Sequence, residues 1–177
     1  IRFHGITDVG RKRDHNEDAF YISDKDHYCI LADGMGGRNF GEVAANMTVD
    51  LLRERFETSF PASADAFRKL DQGNCADMVR VLLDEWIRQI NHAVWHKGQS
   101  DPRFREMGTT LAMVYALPNL ALIAHIGDSR VYHWHQGELK QVTSDHSLVN
   151  TQVQNGMLTR EEAQSSAQKN IITRAIG

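Results

Sequence analysis

The sequence predicts an α+β layered domain, and three observations predict it. Short β-rich runs open the chain, two long amphipathic helical patterns follow, and a second series of β-like runs comes after them. Strand–helix alternations are too few for a doubly wound parallel sheet. Taken in order, residues 2–8 alternate in a β-like way. Residues 19–23 and 27–32 are β-rich and flank the turn-forming Asp24-Lys25-Asp26, so they read as a hairpin. From 42 to 56 the apolar residues Val43, Met47, Leu51, Leu52 and Phe56 recur at helical spacing. A second helix is expected over 77–96, with Met78, Val81, Leu82, Trp86, Ile90, Ala93 and Val94 along one side. Four β-like segments follow at 109–116, 120–126, 130–135 and 138–142. Pro118-Asn119 and Gln136-Gly137 punctuate them as turns, the second a two-residue hairpin link. Beyond Asp145 the text is polar and helical, with Thr159 placed to cap Arg160-Glu161-Glu162. The closing residues 171–177 read as a strand or buried segment.

Composition narrows the function. At 177 residues, with 41% hydrophobic and 24% charged, the chain suits one globular domain. No repeat, low-complexity tract or linker divides residues 1–177. A net charge of -3 and a pI near 6.3 argue against nucleic acid or an anionic membrane as partner. Cys29 and Cys75 are too few for a disulfide scaffold and read as reduced thiols in a cytoplasmic protein. No apolar run approaches the roughly 18–20 residues a membrane helix needs. No signal peptide is legible, and Ile1 in place of Met leads us to expect that the native chain begins earlier.

Four short clusters carry the chemistry: Glu17-Asp18, Asp33-Gly34, Gly108-Thr109-Thr110 and Gly127-Asp128-Ser129-Arg130. Carboxylates at predicted strand ends, with glycine beside them, suit a site of oxygen ligands for a hard cation such as Mg²⁺ or Mn²⁺. Gly34 after Asp33 lets the backbone approach closely, so its carbonyl is a candidate ligand. Each cluster alone has an ordinary reading. Asp33-Gly34 is more often a turn, Glu17-Asp18 a solvated pair, Asp128 an Asx turn, and a lone Arg13 solvent-facing. His92 and His96, four apart on a helix, lack a third ligand and read as helix surface, and His133 and His135 share an exposed strand face.

Their order decides between the readings. Seven segments run in sequence: Thr7 to Asp18, Leu31-Ala32-Asp33-Gly34-Met35-Gly36-Gly37, Gly41-Glu42-Val43-Ala44, Met107-Gly108-Thr109-Thr110, Ile126-Gly127-Asp128-Ser129-Arg130, Thr143-Ser144-Asp145-His146-Ser147 and Ile172-Thr173-Arg174-Ala175-Ile176-Gly177. Together they resemble the metal-dependent, type 2C serine/threonine protein phosphatases in their bacterial form. The resemblance implies two packed antiparallel β-sheets flanked by helices, an α-β-β-α sandwich. It implies that Asp33 bridges two metal ions and that the Gly34 carbonyl binds one of them. Glu17 and Asp18 hold the metal region from the neighbouring strand, and Asp128 helps hold a further, weaker ion, making two or three Mn²⁺ or Mg²⁺ in the complete domain. Arg13 grips the substrate phosphate as a bidentate donor. The implied reaction is direct hydrolysis of phosphoserine and phosphothreonine in proteins by a water activated between ions roughly 4 Å apart. Partners are then phosphoproteins, targets of a serine/threonine kinase. Residues 145–168 become a flap beside the site.

Three features depart from the family pattern. Met35 and Arg38 stand where members of its eukaryotic and bacterial branches carry a histidine, which leaves the leaving-group acid unassigned and makes Arg38 a candidate second phosphate contact. Family members also continue past Gly177 with an Asp-Gly and an Asp-Asn that complete one metal position, so the C-terminal part of the domain is expected to be missing here. That absence motivates one rival, a non-catalytic pseudophosphatase that binds phosphoproteins or metal. A dinucleotide-binding enzyme built on Gly34-Met35-Gly36-Gly37 fails because its glycine pattern needs Gly at Asn39 and because Asp33 would face the pyrophosphate.

Overall fold

A computed structural model describes residues 2–36, 40–67, 72–117 and 119–177, with the backbone alone described over 60–67 and 72–75. Among these residues the fold contains β1 (Asp18–Ser23), β2 (Tyr28–Met35), α1 (Gly41–Phe67), α2 (Gln72–Ser100), β3 (Gly108–Thr109), β4 (Leu111–Leu117), β5 (Leu120–Ile126), β6 (Tyr132–His135), β7 (Glu138–Gln141), α3 (Leu148–Gln154) and α4 (Arg160–Ser165). Two antiparallel sheets result, as the predicted class requires. One has five strands in the order β1-β2-β4-β5, with β3 also paired to β2; the other is the β6–β7 ribbon.

The larger sheet follows from alternation. On β2 the side chains of Tyr28, Ile30 and Ala32 are buried, while Leu31 and Asp33 are exposed. A period of two puts the first set against the helices and the second on the open face. α1 contributes Ala45, Val49, Leu52 and Phe56 to the core, α2 contributes Val79, Leu83, Trp86, Ile90 and Val94, and β4 contributes Leu111, Met113 and Tyr115. Phe56 ties three layers together, stacked on Tyr28 at 4.2 Å and edge-on to Trp86 at 5.2 Å between ring centres. On the open face Phe20, Leu31 and Ile123 remain exposed.

Most predicted elements are present with shifted ends: the helices are longer than expected, while β6 and β7 are shorter than the predicted 130–135 and 138–142. The first hairpin pairs Asp18 through Ser23 with Asp33 through Tyr28. β2 runs three residues past its predicted end, through Asp33 and Gly34 to Met35. The expected strand over 109–116 is split into β3 and β4 at Thr110, although one register, Gly34 opposite Thr109 and Leu31 opposite Ala112, continues across the gap. The β6–β7 turn uses Gln136 at φ 51° and Gly137 at φ 88°, the double positive φ of a tight hairpin turn. Thr159 caps α4 in a capping box with Glu162. Both helices extend beyond 42–56 and 77–96. Residues 2–8 are the correction. They form no strand: among the described residues no neighbouring strand pairs with them, and Phe3 N–H donates instead to the Asp24 carboxylate at 3.2 Å. The end of the chain is tied in: Thr109 and Ile176 exchange two backbone hydrogen bonds of 2.9 Å, and Ile176 is fully buried.

Cys29 is a free, half-buried thiol, and burial raises its pKa. The Cys75 side chain, Pro118 of the predicted turn, and Gly37, Arg38 and Asn39 lie outside the described residues. No helix among the described residues is long and apolar enough to cross a membrane.

Candidate metal and phosphate site

The site begins as a consequence of register. Asp18 opens β1, Asp33 lies near the end of β2, and the antiparallel pairing sets them directly opposite each other. Both side chains fall on the sheet face away from the helices, where burial alternation leaves them exposed. Directly opposed residues hold their Cβ atoms about 4.5–5.5 Å apart, and like charges there repel. Partial desolvation of the Asp33 carboxyl by the loops packed around it, then the Asp18 charge, pushes Asp33 up to about 6; Asp128 adds to the push and Arg13 opposes it. Asp18, Asp128 and Arg13 therefore each lie within electrostatic reach of Asp33. A divalent cation is the group that relieves such a cluster, and its oxygen chemistry suits Mg²⁺ or Mn²⁺.

Around this pair the loops are closely held. Arg13 reaches Glu17 at 3.8 Å, and the Glu17 side chain is 14% exposed against 64% for Arg13. Thr7 donates to Asp18 at 3.4 Å and accepts from Asn16 at 2.7 Å. Gly34 N–H donates to the Glu17 carbonyl at 3.1 Å. A Cβ at Gly34 would stand 2.3 Å from the Gly41 carbonyl oxygen and 2.5 Å from that of Glu17, so only glycine lets α1 begin against the end of β2.

The Asp33 backbone is gripped from Thr109 of β3 and from Thr110 beside it. Thr109 Oγ1 donates to the Asp33 carbonyl at 2.9 Å, and Thr110 N–H donates to the same oxygen at 2.9 Å. Thr110 Oγ1 accepts the Asp33 N–H at 3.0 Å and lies 2.7 Å from the Ser129 hydroxyl. One buried hydroxyl thus joins the Asp33 strand to the turn that carries Asp128. That turn is closed on its far side. Arg130 forks onto Asp145 with contacts of 2.9, 3.0 and 2.6 Å, and Gln141 donates to the same carboxylate at 3.0 Å. The pairing raises the Arg130 pKa.

The structure thus brings together Arg13, Glu17, Asp18, Asp33 and Gly34, and sets Asp128 within reach across Thr110 and Ser129. Among the described residues, no three His, Cys, Asp or Glu side chains converge as ligands of a single ion. The Asp18–Asp33 pair supplies two carboxylates, and backbone carbonyls or waters would supply the rest. Sequence reasoning missed the roles of Thr109, Thr110, Ser129, Arg130 and Asp145. Their text stood inside the recognised motifs. The only further signal was an opposite-charge pair, Arg130 and Asp145, bracketing a hairpin.

Comparison with known proteins agrees with this architecture. The family described as Protein phosphatase 2C matches residues 9–176. Protein phosphatase PhpP of Streptococcus pneumoniae serotype 2 is 39% identical over 180 residues, covering 97% of this chain and 66% of that protein. Among solved structures, the serine/threonine phosphatase of S. agalactiae superposes with a TM-score of 0.81 at 40% identity, over 97% of this chain and 67% of that one. The catalytic domain of the serine threonine protein phosphatase PstP, solved in complex with 2 manganese ions, gives a TM-score of 0.73 at 33% identity, over 94% and 63%. The chain belongs to the protein phosphatase 2C family, in its bacterial branch. It spans 65–66% of the length of curated relatives that it matches.

Proposed function

We propose that this chain forms the greater part of a cytoplasmic, metal-dependent protein phosphatase that hydrolyses phosphoserine and phosphothreonine in proteins, the targets of a serine/threonine kinase. The observation that carries the reading is the register placing Asp18 opposite Asp33, with Arg13 and Glu17 beside them. The manganese in the PstP structure supports Mn²⁺, with Mg²⁺ as the alternative, and two or three ions in the whole protein. Bound there, the cation supplies charge neutralisation and a water of lowered pKa.

The chain's own residues do the rest. Asp18, Asp33 and the Gly34 carbonyl hold the cation, with Glu17 behind them and Asp128 on the neighbouring turn. Arg13, largely exposed and only loosely paired with Glu17, is free to turn its guanidinium onto a phosphate as a bidentate donor. Thr109 and Thr110 fix the Asp33 peptide, so its carboxylate is aimed before any ligand arrives. Arg38, outside the described residues, is a second candidate for phosphate contact. Residues 145–168 carry α3 and α4 and act as the flap: with the β6–β7 ribbon they wall an open cleft lined by Asp128, Lys140, Asn150, Arg160 and Lys169, where the protein part of the substrate would lie.

The test is phosphate release from a phosphothreonine peptide by the full-length protein, with and without Mn²⁺. Turnover is expected only with the metal, and Asp33→Ala should abolish it. Hydrolysis by Asp33→Ala at the wild-type rate would sink the assignment, and binding of the peptide without turnover by the wild type would transfer the reading to the pseudophosphatase.

A further inference from the structure

Besides Thr110 and Asp145, the Asp128 turn is held by a residue that the proposed catalytic reading does not use. Gly127 has φ 101°, and a Cβ there would meet Thr110 Cγ2 at 2.6 Å, so the turn is pressed against Thr110. With no side chain to anchor it, the Gly127 peptide depends on what binds its two polar groups. His146 binds both. Its Nδ1 accepts the Gly127 N–H at 3.1 Å, and its own backbone N–H donates to the Gly127 carbonyl at 2.8 Å. The His146 carbonyl in turn accepts the Thr173 N–H at 2.8 Å. The neighbouring Asp145 grips Arg130, so residues 145 and 146 straddle the turn from both sides.

We propose that His146 is a positioning residue for Asp128: as a pure acceptor at Nδ1, its imidazole holds the Ile126–Gly127 peptide while its backbone N–H holds the Gly127–Asp128 carbonyl, and this sets the direction in which the Asp128 carboxylate is presented to the cation. The inference rests on the reading of Asp128 as a cation-binding carboxylate. A backbone N–H can only donate, so the ring must carry its proton on Nε2. The surroundings keep it in that form. Burial, then the His125 ring 4.8 Å away, then Arg174 hold the His146 pKa below the usual histidine value, and only Asp145 opposes them. An imidazolium would turn Nδ1 into a donor facing another donor, and the clasp would open. Partners that orient a metal ligand typically matter by about 10–100-fold in metal affinity.

Two substitutions separate this role from a structural one. Asparagine places its Oδ1 near the position of Nδ1, whereas glutamine carries its oxygen out toward Nε2. In the full-length protein, Mn²⁺ affinity is read by titration of the metal itself, alongside urea midpoints. His146→Asn is expected to bind Mn²⁺ within about threefold of wild type, and His146→Gln to lose about tenfold or more. Equal losses in the two variants would overturn the positioning role. If either fails to fold, the wild type decides: a through-hydrogen-bond coupling between the Gly127 amide nitrogen and His146 Nδ1 is expected by nuclear magnetic resonance, and its absence refutes the clasp. Asp128→Asn serves as the control. Unchanged Mn²⁺ affinity in that variant would remove Asp128 from the metal site and this inference with it. Weakened affinity in Asp128→Asn with equal His146 variants would remove the positioning role alone.

Discussion

Replacing Thr110 by valine removes one hydroxyl and almost nothing else. The side chain is 1% exposed, and valine replaces the hydroxyl by a methyl of similar size, so no cavity opens. Two hydrogen bonds go with it, the 3.0 Å bond from Asp33 N–H and the 2.7 Å bond with Ser129. The Asp33 N–H loses its acceptor inside the sheet, which costs about 1–3 kcal/mol. Ser129 is half-buried and can turn to solvent, so its share is smaller. The added methyl returns up to about 0.8 kcal/mol. The net expectation is a loss of about 2 kcal/mol, read as a lower urea midpoint at unchanged slope for the metal-free, full-length protein at neutral pH. Thr110→Ser keeps the hydroxyl and loses the methyl that lies against Gly127, and is expected to cost less than Thr110→Val. A Thr110→Val protein within about 0.5 kcal/mol of wild type, below the cost of an orphaned buried donor, would refute the claim that this hydroxyl fastens Asp33 to the Asp128 turn.

Two further outcomes follow from the same geometry. Asp33 is raised to about 6, so in the metal-free protein its penalty is absent below the ordinary aspartate range and fully present above about 6. Stability should therefore fall as pH rises from about 4 to about 6, and Asp33→Asn should flatten that slope in urea midpoints measured across pH; a wild-type slope equal to that of the variant contradicts the crowded carboxylates. Arg130→Met strips the fork from Asp145, whose side chain is only 12% exposed, and should cost about 1–3 kcal/mol in the same assay, with Arg130→Lys recovering part. A loss under about 0.5 kcal/mol, the level of an exposed ion pair, would show that the fork is not holding the turn.

Much of the fold was legible because its signals are local. Amphipathic spacing marked both helices, and Asp24-Lys25-Asp26 and Gln136-Gly137 marked the hairpin turns. Thr159 and Glu162 spelled a cap that the structure contains. Residues 2–8 misled because alternation states which face a strand would bury, not whether a partner is there to bond it. The split at Thr110 was equally invisible, since it arises where Thr110 turns its backbone and hydroxyl onto Asp33 rather than from its own propensity.

The candidate site divides along the same line. By itself the sequence determined which residues can do the chemistry, Arg13, Glu17, Asp18, Asp33 and Asp128, because charge, denticity and the freedom of glycine belong to the residue type. It also determined the order of the elements that carry them. Only the tertiary structure decided that Asp18 stands opposite Asp33, that Thr110 spans to Ser129, and that His146 and Asp145 close on the Gly127–Arg130 turn. Those contacts join residues far apart along the chain, from 15 positions for Asp18 and Asp33 to 77 for Asp33 and Thr110. Register and hydrogen-bond geometry between distant segments are properties of the packed sheet, and no periodicity along one segment encodes them.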